Sequence, residues 1–410
     1  MSRKMGPVPV DFSFGGRSAE DLVAEAGGTP LFVYDLDMVA GRIDRFRSAF
    51  SDVQLHYAIK ANAYGPLLRY IAKLADGLDV ASAGELELAL EAGVPAEQIS
   101  FAGPGKRDEE LRDAIKAGVT INLESEGEAE RALKWAEKAG IRPRLAVRVN
   151  PDFEIKGSGM RMGGGAKPFG VDAARVPALA RALIDAGADW RGFHIFAGSQ
   201  SLNADALIEA QRATLDLAGS LAGQVGEAPP LVNLGGGFGI PYFAGEAPLD
   251  VEAVGRALHD AMERRHPLLA TSALAIELGR WLVGEAGVYL TRIVDRKVSH
   301  GKTFLVTDGG MHHQLAASGN FGQVVRRNFP VAIASRPDAA AEEEVSIVGC
   351  LCTPLDRLAD DVMLPRAEVG DIVAVFLAGA YGLSASPQAF LGHPQAREMA
   401  IGGGFPTRSS

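Results

Sequence analysis

The sequence predicts a (β/α)8 TIM barrel joined to a C-terminal antiparallel β-domain, and three observations support this α/β fold class. Apolar runs typical of strands alternate with amphipathic stretches typical of helices, a rhythm that requires a parallel sheet covered by helices. Eight such units occupy roughly 240 residues, close to the usual barrel size of about 250. Beyond Arg280 polar and apolar residues alternate between turn signals, which indicates antiparallel strands. We therefore expect the barrel at residues 36–275 and the β-domain at residues 1–35 and 276–410.

The predicted elements follow one another along the chain. A strand at residues 31–37 leads into the first helix. The barrel strands are predicted at residues 53–58, 77–81, 99–102, 119–122, 144–149, 191–196, 231–234 and 273–277. Amphipathic helices are predicted between them, for example at residues 83–92 and 124–139. In the C-terminal part, residues 345–352 and 369–382 show the alternation of β-domain strands.

The composition is that of an ordinary globular protein, with 47% hydrophobic and 22% charged residues. A net charge of -10 argues against nucleic acid as a main partner. Cys350 and Cys352 are the two cysteines, too few for a disulfide framework or a zinc site, so we expect no metal and a reducing cytoplasm. The N-terminus lacks the apolar core of a signal peptide, and no apolar run reaches about 18 residues, so we expect no membrane span.

The stretch YAIKAN, at residues 57–62, places Lys60 at the end of the first predicted barrel strand. The active site of such a barrel lies at the C-terminal ends of its strands. Apolar surroundings disfavour the ammonium form of a lysine, and a neutral amine can attack a carbonyl to form a Schiff base. The stretch alone is equally compatible with a lysine exposed at a strand end.

Further candidate residues follow other barrel strands. They are His194, Phe196 and Ser199 after the sixth strand, Gly235, Gly236 and Gly237 after the seventh, and Glu277 and Arg280 after the eighth. Three consecutive glycines leave backbone N–H groups open to a phosphate, which barrels often hold at this position. Arg280 could add a charge-assisted contact to phosphate or carboxylate. A tight turn at the glycines, a surface ion pair at Arg280 and a structural salt bridge at Glu277 remain open as alternatives.

Eight motifs, in one order over residues 30–385, resemble those of a known family. They are YAIKAN, GLDVASAGELELAL (77–90), FAGPGK (101–106), RVNP (148–151), GSQ (198–200), GGGFGI (235–240), E-x-GR (277–280) and GAYG (379–382). Together they resemble the pyridoxal-phosphate decarboxylases of the alanine-racemase-like fold (fold type III), the diaminopimelate and ornithine decarboxylase family. Among subgroups, the chain is most similar to decarboxylase-like proteins linked to exosortase and exopolysaccharide gene clusters.

The resemblance implies roles for matching residues. Lys60 resembles the lysine that holds pyridoxal 5'-phosphate, and Glu277 resembles the partner of the pyridine nitrogen. A carboxylate keeps that nitrogen protonated, so the ring can accept the electrons released as CO2 leaves. Alanine racemases place an arginine there, so Glu277 favours decarboxylation over racemisation. The remaining cofactor-binding candidates are Ser199, Gly235, Gly236, Gly237, Arg280 and Tyr381 at the phosphate, His194 or Phe196 at the ring, and Asp79 and Arg148 as supports or structural ion pairs.

Cys352 resembles the cysteine that, in this family, reaches across a homodimer interface to protonate the product carbon. A positioned proton donor typically contributes about 10²–10⁴ in rate. The alternative is a buried cysteine in a β-strand, and Cys350 is interpreted as structural. The resemblance therefore implies a homodimer with shared active sites and Lys60 and Cys352 as the catalytic residues.

The chain departs from the family pattern in three places. Phe196 stands where the family has a histidine stacked on the cofactor ring; a phenylalanine can also stack, and His194 shares its strand face. Thr353 follows the cysteine where diaminopimelate decarboxylases have a glutamate. Ala316 and Asn320 stand where an arginine and a tyrosine bind the distal carboxylate.

These departures remove the groups that would bind a free, charged diamino-dicarboxylate. We therefore expect an amino acid or aminoacyl derivative other than free meso-diaminopimelate, such as an aminoacyl group tethered to an acyl carrier protein. Three alternatives stay open: a diaminopimelate decarboxylase, an amino-acid racemase or epimerase on this scaffold, and a non-catalytic pyridoxal-phosphate-binding protein. The candidate substrate contacts are Arg280, Asp308, Asp356 and Tyr381. The adjacent His312 and His313 are expected on opposite faces of a strand.

Overall fold

The computed structural model describes residues 14–154, 160–161, 163–320 and 326–404. These residues form nineteen strands and ten α-helices. The strands are β1 (Leu31–Asp35), β2 (Val53–Ala58), β3 (Gly77–Val80), β4 (Ile99–Phe101), β5 (Thr120–Leu123), β6 (Arg144–Asn150), β7 (Met160–Arg161), β8 (Val171–Asp172), β9 (Asp189–Ile195), β10 (Gly198–Ser199), β11 (Leu231–Asn233), β12 (Ala273–Leu278), β13 (Gly287–Ser299), β14 (Lys302–Thr307), β15 (Val331–Ile333), β16 (Glu343–Val348), β17 (Arg357–Leu364), β18 (Ile372–Phe376) and β19 (Arg397–Ile401). The helices are α1 (Ala19–Ala26), α2 (Leu36–Ala49), α3 (Gly65–Ile71), α4 (Ala83–Glu91), α5 (Asp108–Ala117), α6 (Glu126–Ala139), α7 (Val176–Asp185), α8 (Ala204–Val225), α9 (Val251–Glu263) and α10 (Arg280–Val283).

The described residues divide into two compact units. The barrel unit consists of residues 43–240 and 248–279, and the β-domain unit consists of the chain up to Arg42, residues 241–247 and the chain from Arg280 onward. Within the described ranges, every helix is too short or too polar to cross a membrane.

The barrel unit is a closed ring of eight parallel strands. The strands pair in the order β2, β3, β4, β5, β6, β9, β11 and β12, and β12 pairs with β2 to close the ring. This confirms the predicted fold class, and each of the eight predicted strands is present. The short β8 extends the sheet beside β6, and β7 pairs with β10. Because helices cover the outside and side chains fill the inside, the strands are buried almost continuously.

The helices of the barrel unit begin and end where the sequence supplies caps. Ser82 and Ser125 accept hydrogen bonds from the backbone N–H groups at the start of α4 and α6. Gly118 and Gly140 take left-handed conformations at the ends of α5 and α6. Such local signals explain why the helices predicted at residues 83–92 and 124–139 are found within two residues of their expected ends.

The β-domain unit contains a mainly antiparallel sheet with the strand order β15, β18, β13, β14, β16 and β17. β1 adds to it between β13 and β19. The antiparallel prediction holds for most pairs, but β14 with β16 and β1 with β19 are parallel. Parallel neighbours need a long connection, and both pairs are joined by stretches far longer than a hairpin turn.

A buried ion pair lies inside the barrel unit. Lys106, in the FAGPGK motif, places its Nζ 2.6 Å from Glu128 Oε1, and both side chains are at most 3% exposed. The same ammonium donates to the carbonyl oxygens of Gly103 and Asn122. All three N–H donors of the Lys106 ammonium therefore have acceptors inside the protein, which indicates a structural role for this motif lysine.

Removing one partner of this pair is expected to destabilise the barrel. Glu128→Ala should lower the free energy of unfolding by about 3 kcal/mol, because it leaves the Lys106 charge buried without its counter-ion. Urea unfolding followed by circular dichroism measures the loss. The matched control is the double variant Lys106→Met/Glu128→Leu, which removes both charges and should recover most of the loss. A double variant as unstable as the single one would contradict this explanation.

Candidate active site

Lys60 lies in a single 3-10 turn, Ile59–Ala61, directly after β2. Its side chain is exposed, so the expectation of a lysine surrounded by apolar residues is wrong. The strand ends at Ala58, and the turn carries Lys60 away from the buried strand while Ile59 stays inside. The Nζ lies 5.8 Å from the centre of the Phe196 ring. Lys60 thus presents an accessible amine beside an aromatic face.

His194 and Phe196 are two residues apart but have different neighbours. His194 lies in β9, is buried, and places Nε2 2.9 Å from Glu277 Oε2. Phe196 follows the end of β9, is half-buried, and faces Lys60. Because β9 ends at Ile195, the two side chains do not share a strand face. The geometry therefore favours Phe196 over His194 as the ring that faces the lysine.

Glu277 is an ionised carboxylate inside the barrel. It lies in β12 and is 7% exposed, and Asn233 Nδ2 is 3.5 Å from its Oε2. Burial alone would raise the pKa of Glu277, but the neighbouring His194, with Lys60 and Arg148 further away, holds it well below its usual value. A buried carboxylate that stays ionised is suited to bind a protonated nitrogen.

A second buried acid and base lie on the adjacent strands β2 and β3. His56 Nδ1 is 3.7 Å from Asp79 Oδ1. Burial lowers the pKa of His56, but Asp79, Glu277 and Asp76 together raise it above its ordinary value. Within the described ranges, neither carboxylate oxygen of Asp79 has a hydrogen-bond partner. His56 was not among the predicted residues, although its place in the first barrel strand was a signal for it.

Arg148 takes part in a structural network on β6. Its NH1 donates to Glu124 Oε1 at 2.8 Å, and its guanidinium lies 5.1 Å from the Phe169 ring. Glu124 also accepts from the backbone N–H groups of Gly103 and Gly170. This supports the structural alternative for Arg148. The network also holds one end of the glycine-rich segment 159–170, of which residues 159 and 162 lie outside the described residues.

The three glycines after β11 form a turn that other residues could not adopt unchanged. Gly235 and Gly237 have φ angles of 69° and 89°, in the left-handed region. A Cβ at Gly235 would lie 2.7 Å from Ile195 O, and one at Gly236 would overlap the carbonyl oxygen of Glu277. A bare backbone of this kind can approach a phosphate closely.

Ser199 is half-buried in β10, three residues beyond Phe196. Together with the glycine turn, Lys60 and Glu277, it belongs to the barrel unit, at the C-terminal ends of strands. An amine, a buried carboxylate and a bare backbone turn match the aldehyde, the ring nitrogen and the phosphate of pyridoxal phosphate. These residues therefore fit that cofactor.

Arg280 and Tyr381 lie together in the β-domain unit. Arg280 begins α10, and its guanidinium lies 4.7 Å from the centre of the Tyr381 ring. Its NH1 donates to Tyr242 Oη at 2.7 Å. Tyr381 has a φ angle of 53°, which is unusual for a tyrosine. Tyr242 was missed by the sequence prediction, although it follows the glycine motif in GGGFGIPY. The arginine is thus held in one orientation by two tyrosines.

The two cysteines of the β-domain unit differ in exposure. Cys352 is an exposed free thiol, which contradicts the alternative of a buried strand cysteine. Cys350 is half-buried, and its Sγ lies 3.7 Å from His393 Nδ1. Burial, together with Asp356 and Asp308, raises the pKa of Cys350 to about 11. Cys350 therefore stays protonated at neutral pH, as its structural interpretation requires.

Asp356 and Asp308 hold the backbone of this unit in place. Asp356 is 2% exposed and accepts from the N–H groups of Met311 and Leu351. Asp308 accepts from Thr291 Oγ1 and from the backbone N–H of Arg292. Because these oxygens are engaged with the protein itself, the geometry gives no support to the predicted substrate contacts of the two aspartates.

His312 and His313 lie in a turn after β14, and not on a strand. Their ring centres are 3.7 Å apart, and both side chains are fully buried. The expectation that they point to opposite faces is wrong, because that rule applies only to extended backbone. Burial lowers the pKa of both, and His313 reaches about 4 with His312 beside it. Both imidazoles are therefore neutral at physiological pH.

The chain is similar to known proteins over most of its length. Residues 36–284 match the family described as "Pyridoxal-dependent decarboxylase, pyridoxal binding domain". An L-glutamyl-[BtrI acyl-carrier protein] decarboxylase of Niallia circulans is 39% identical over 90% of this chain and 88% of its own length. A diaminopimelate decarboxylase of Archaeoglobus fulgidus is 34% identical over 95% of this chain and 91% of its own.

Solved structures show the same fold. A diaminopimelate decarboxylase from Helicobacter pylori, crystallised as a complex with L-lysine, superposes with a TM-score of 0.83 at 26% identity. The match covers 93% of this chain and 94% of the other. The chain belongs to the pyridoxal-dependent decarboxylases, and it is a lyase whose cofactor is pyridoxal phosphate.

Proposed function

We propose that this enzyme decarboxylates an aminoacyl group linked to an acyl carrier protein. The observation that carries the proposal is the uncharged set of residues, Ala316, Asn320 and Thr353, where the resemblance places the groups that bind a charged distal end. The 39% identity to a decarboxylase named for a carrier-linked glutamyl group supports it. Without charged side chains at these three positions, the site would not select a charged distal carboxylate, whereas a neutral linkage would suit it.

The local structure around these positions agrees with a neutral ligand. Ala316 lies in a 3-10 turn, Leu315–Ser318, and the Asn320 amide donates to Ser318 Oγ at 2.8 Å. The Thr353 hydroxyl accepts from the backbone N–H of Leu355. The Asn320 amide and the Thr353 hydroxyl therefore each make a local hydrogen bond, and none of the three side chains carries a charge.

We assign the cofactor contacts as follows. Lys60 would hold the aldehyde carbon, and Glu277 would keep the ring nitrogen protonated. Phe196 would lie against the ring, and Asp79 with His56 would support the strands beneath it. Pyridoxal phosphate, when bound, supplies an electron sink for the electrons released with CO2. The phosphate would be bound by Ser199, Gly235, Gly236, Gly237, Arg280 and Tyr381.

The experiment measures CO2 release by purified, cofactor-loaded protein from carrier-linked and free substrates. We expect turnover of a glutamyl group on a carrier protein and little release from free glutamate, lysine, ornithine, arginine or meso-diaminopimelate. Robust turnover of free meso-diaminopimelate would overturn the carrier proposal. A product that keeps its carboxyl group would instead indicate a racemase or epimerase.

Cys352 is proposed as the residue that protonates the product carbon, acting in a homodimer. Cys352→Ser should lower kcat by about 10²-fold or more, because a hydroxyl is a poorer acid than a thiol. Cys350→Ser is the matched control and should change kcat less than threefold. An equal loss of kcat in the two variants would contradict the assignment of Cys352 as the proton donor. Mixing the Lys60→Ala protein with the Cys352→Ser protein should raise activity above that of either variant alone if the two residues of one site come from different subunits.

The biological setting is also a proposal. The resemblance to the exosortase-linked subgroup supports a cytoplasmic role in amino-acid metabolism for exopolysaccharide biosynthesis. Sedimentation of the purified protein tests the dimer, and deletion of the gene followed by polysaccharide analysis tests the pathway. A monomer with full activity would contradict the shared-site proposal.

A further inference from the structure

A row of aromatic side chains in the β-domain unit connects Arg280 to an exposed arginine. Tyr242, which accepts the hydrogen bond from Arg280, lies 4.9 Å from Phe329 between ring centres. Phe329 meets Phe243 edge-on at 6.0 Å. The Cζ of Arg327 lies 3.6 Å from the centre of the Phe243 ring. The row thus has a guanidinium at each end, and the end at Arg327 is open to solvent.

Arg327 is held in one orientation and still accessible. Its NH1 is 3.1 Å from Glu246 Oε1, while Phe243 covers one face of the guanidinium. Glu246 is itself fixed, because its Oε2 accepts from the backbone N–H groups of Tyr242 and Phe243. The Arg327 side chain nevertheless remains 53% exposed. A stacked, oriented guanidinium that stays exposed to solvent is the group that proteins use to bind phosphate.

The net charge of the chain makes a local cation necessary for any anionic ligand. At -10, the overall field repels anions and does not steer them to the surface. An anion would therefore have to be bound by particular side chains. Arginine stacked on an aromatic ring loses little freedom when it binds, which favours such a contact.

We propose that Arg327 binds the phosphodiester of the prosthetic arm on which an acyl carrier protein presents its aminoacyl group. This inference rests on the proposed function. The arm of such carriers ends in a thioester at the acyl group and in a phosphodiester at the carrier. Phe243 would contact the apolar gem-dimethyl group beside that phosphodiester. The only fixed charge of the arm would then meet Arg327, and the neutral distal end would remain at the uncharged part of the site.

The test compares three substrates: a glutamyl group on the carrier, on free 4'-phosphopantetheine, and on pantetheine without the phosphate. Arg327→Ala should raise KM about tenfold for the two phosphate-bearing substrates, because one charge-assisted hydrogen-bond pair is lost. Neither kcat nor the KM for the pantetheine substrate should change. Arg366→Ala is the matched control, since Arg366 is exposed in the same unit and is likewise paired with a glutamate, Glu368.

Three outcomes would overturn the inference. The first is that Arg327→Ala leaves KM unchanged for the phosphate-bearing substrates. The second is that Arg327→Ala raises KM equally for the pantetheine substrate. The third is that Arg366→Ala raises KM as much as Arg327→Ala does. Calorimetry measures the binding of 4'-phosphopantetheine and of inorganic phosphate to wild-type and Arg327→Ala holoenzyme. The comparison shows whether Arg327 binds the arm specifically or binds any anion. Inorganic phosphate that binds as tightly as the arm would also overturn it. If no carrier-linked substrate is turned over, the proposed function fails, and the calorimetry still decides whether Arg327 binds the arm.

Discussion

Replacement of Lys60 by alanine is expected to abolish both decarboxylation and the visible absorbance of lysine-bound pyridoxal phosphate. Lys60 is an exposed amine in the turn after β2, within 5.8 Å of the Phe196 ring. Alanine has no nucleophile, so the loss in kcat should be about 10⁴-fold or more, the scale of losing a covalent catalytic group. Absorbance spectra and CO2 release of the cofactor-treated protein measure the two effects.

The control for this result is a lysine of the same unit that lies away from the C-terminal ends of the strands. Lys116 is exposed near the end of α5. Lys116→Ala should leave the spectrum and kcat as they are in the wild type. A Lys60→Ala protein that keeps the wild-type spectrum would show that another group holds the cofactor, and it would remove the basis of the site assignment.

The barrel was predictable because its strands carry their signal locally. Buried parallel strands are nearly continuous apolar runs, so the eight strands could be found one by one. The two parallel pairings of the β-domain could not be predicted in this way. The partners β14 and β16, for example, are separated by a long connection. No local pattern says on which side of a sheet such a connection returns.

The sequence named candidate site residues but not the contacts around them. Lys60 was identified from its motif, but its burial was misjudged, because the strand ends two residues earlier in a turn. The contact of His194 with Glu277 could not be read from the sequence. The two residues lie 83 positions apart, and they meet only because β11 places β9 and β12 on its two sides. Tyr242 was missed for the same reason, as its role depends on Arg280.

Glu277→Gln is expected to lower kcat by about 10²–10³-fold while the cofactor still binds covalently. The ionised carboxylate lies against His194 in the buried interior of the barrel, and a neutral amide cannot keep a ring nitrogen protonated. The visible spectrum of the bound cofactor and kcat are measured together. His194→Gln is the matched control: it alters the neighbour and leaves the carboxylate, so its loss should be much smaller.

The same variant has an expected effect on stability that does not depend on catalysis. The pKa of Glu277 is lower in the folded protein than the ordinary glutamate value of about 4.3. The stability contributed by its ionised form is therefore fully present above that pH, and it is lost as the pH falls toward the folded-state pKa. Urea unfolding of the cofactor-free protein, at neutral pH and in mild acid below about 4.3, should show a smaller acid-dependent loss for Glu277→Gln than for the wild type. Identical losses in the two proteins, together with a kcat within threefold of wild type, would show that Glu277 is neither the buried anion of the barrel nor the partner of the cofactor.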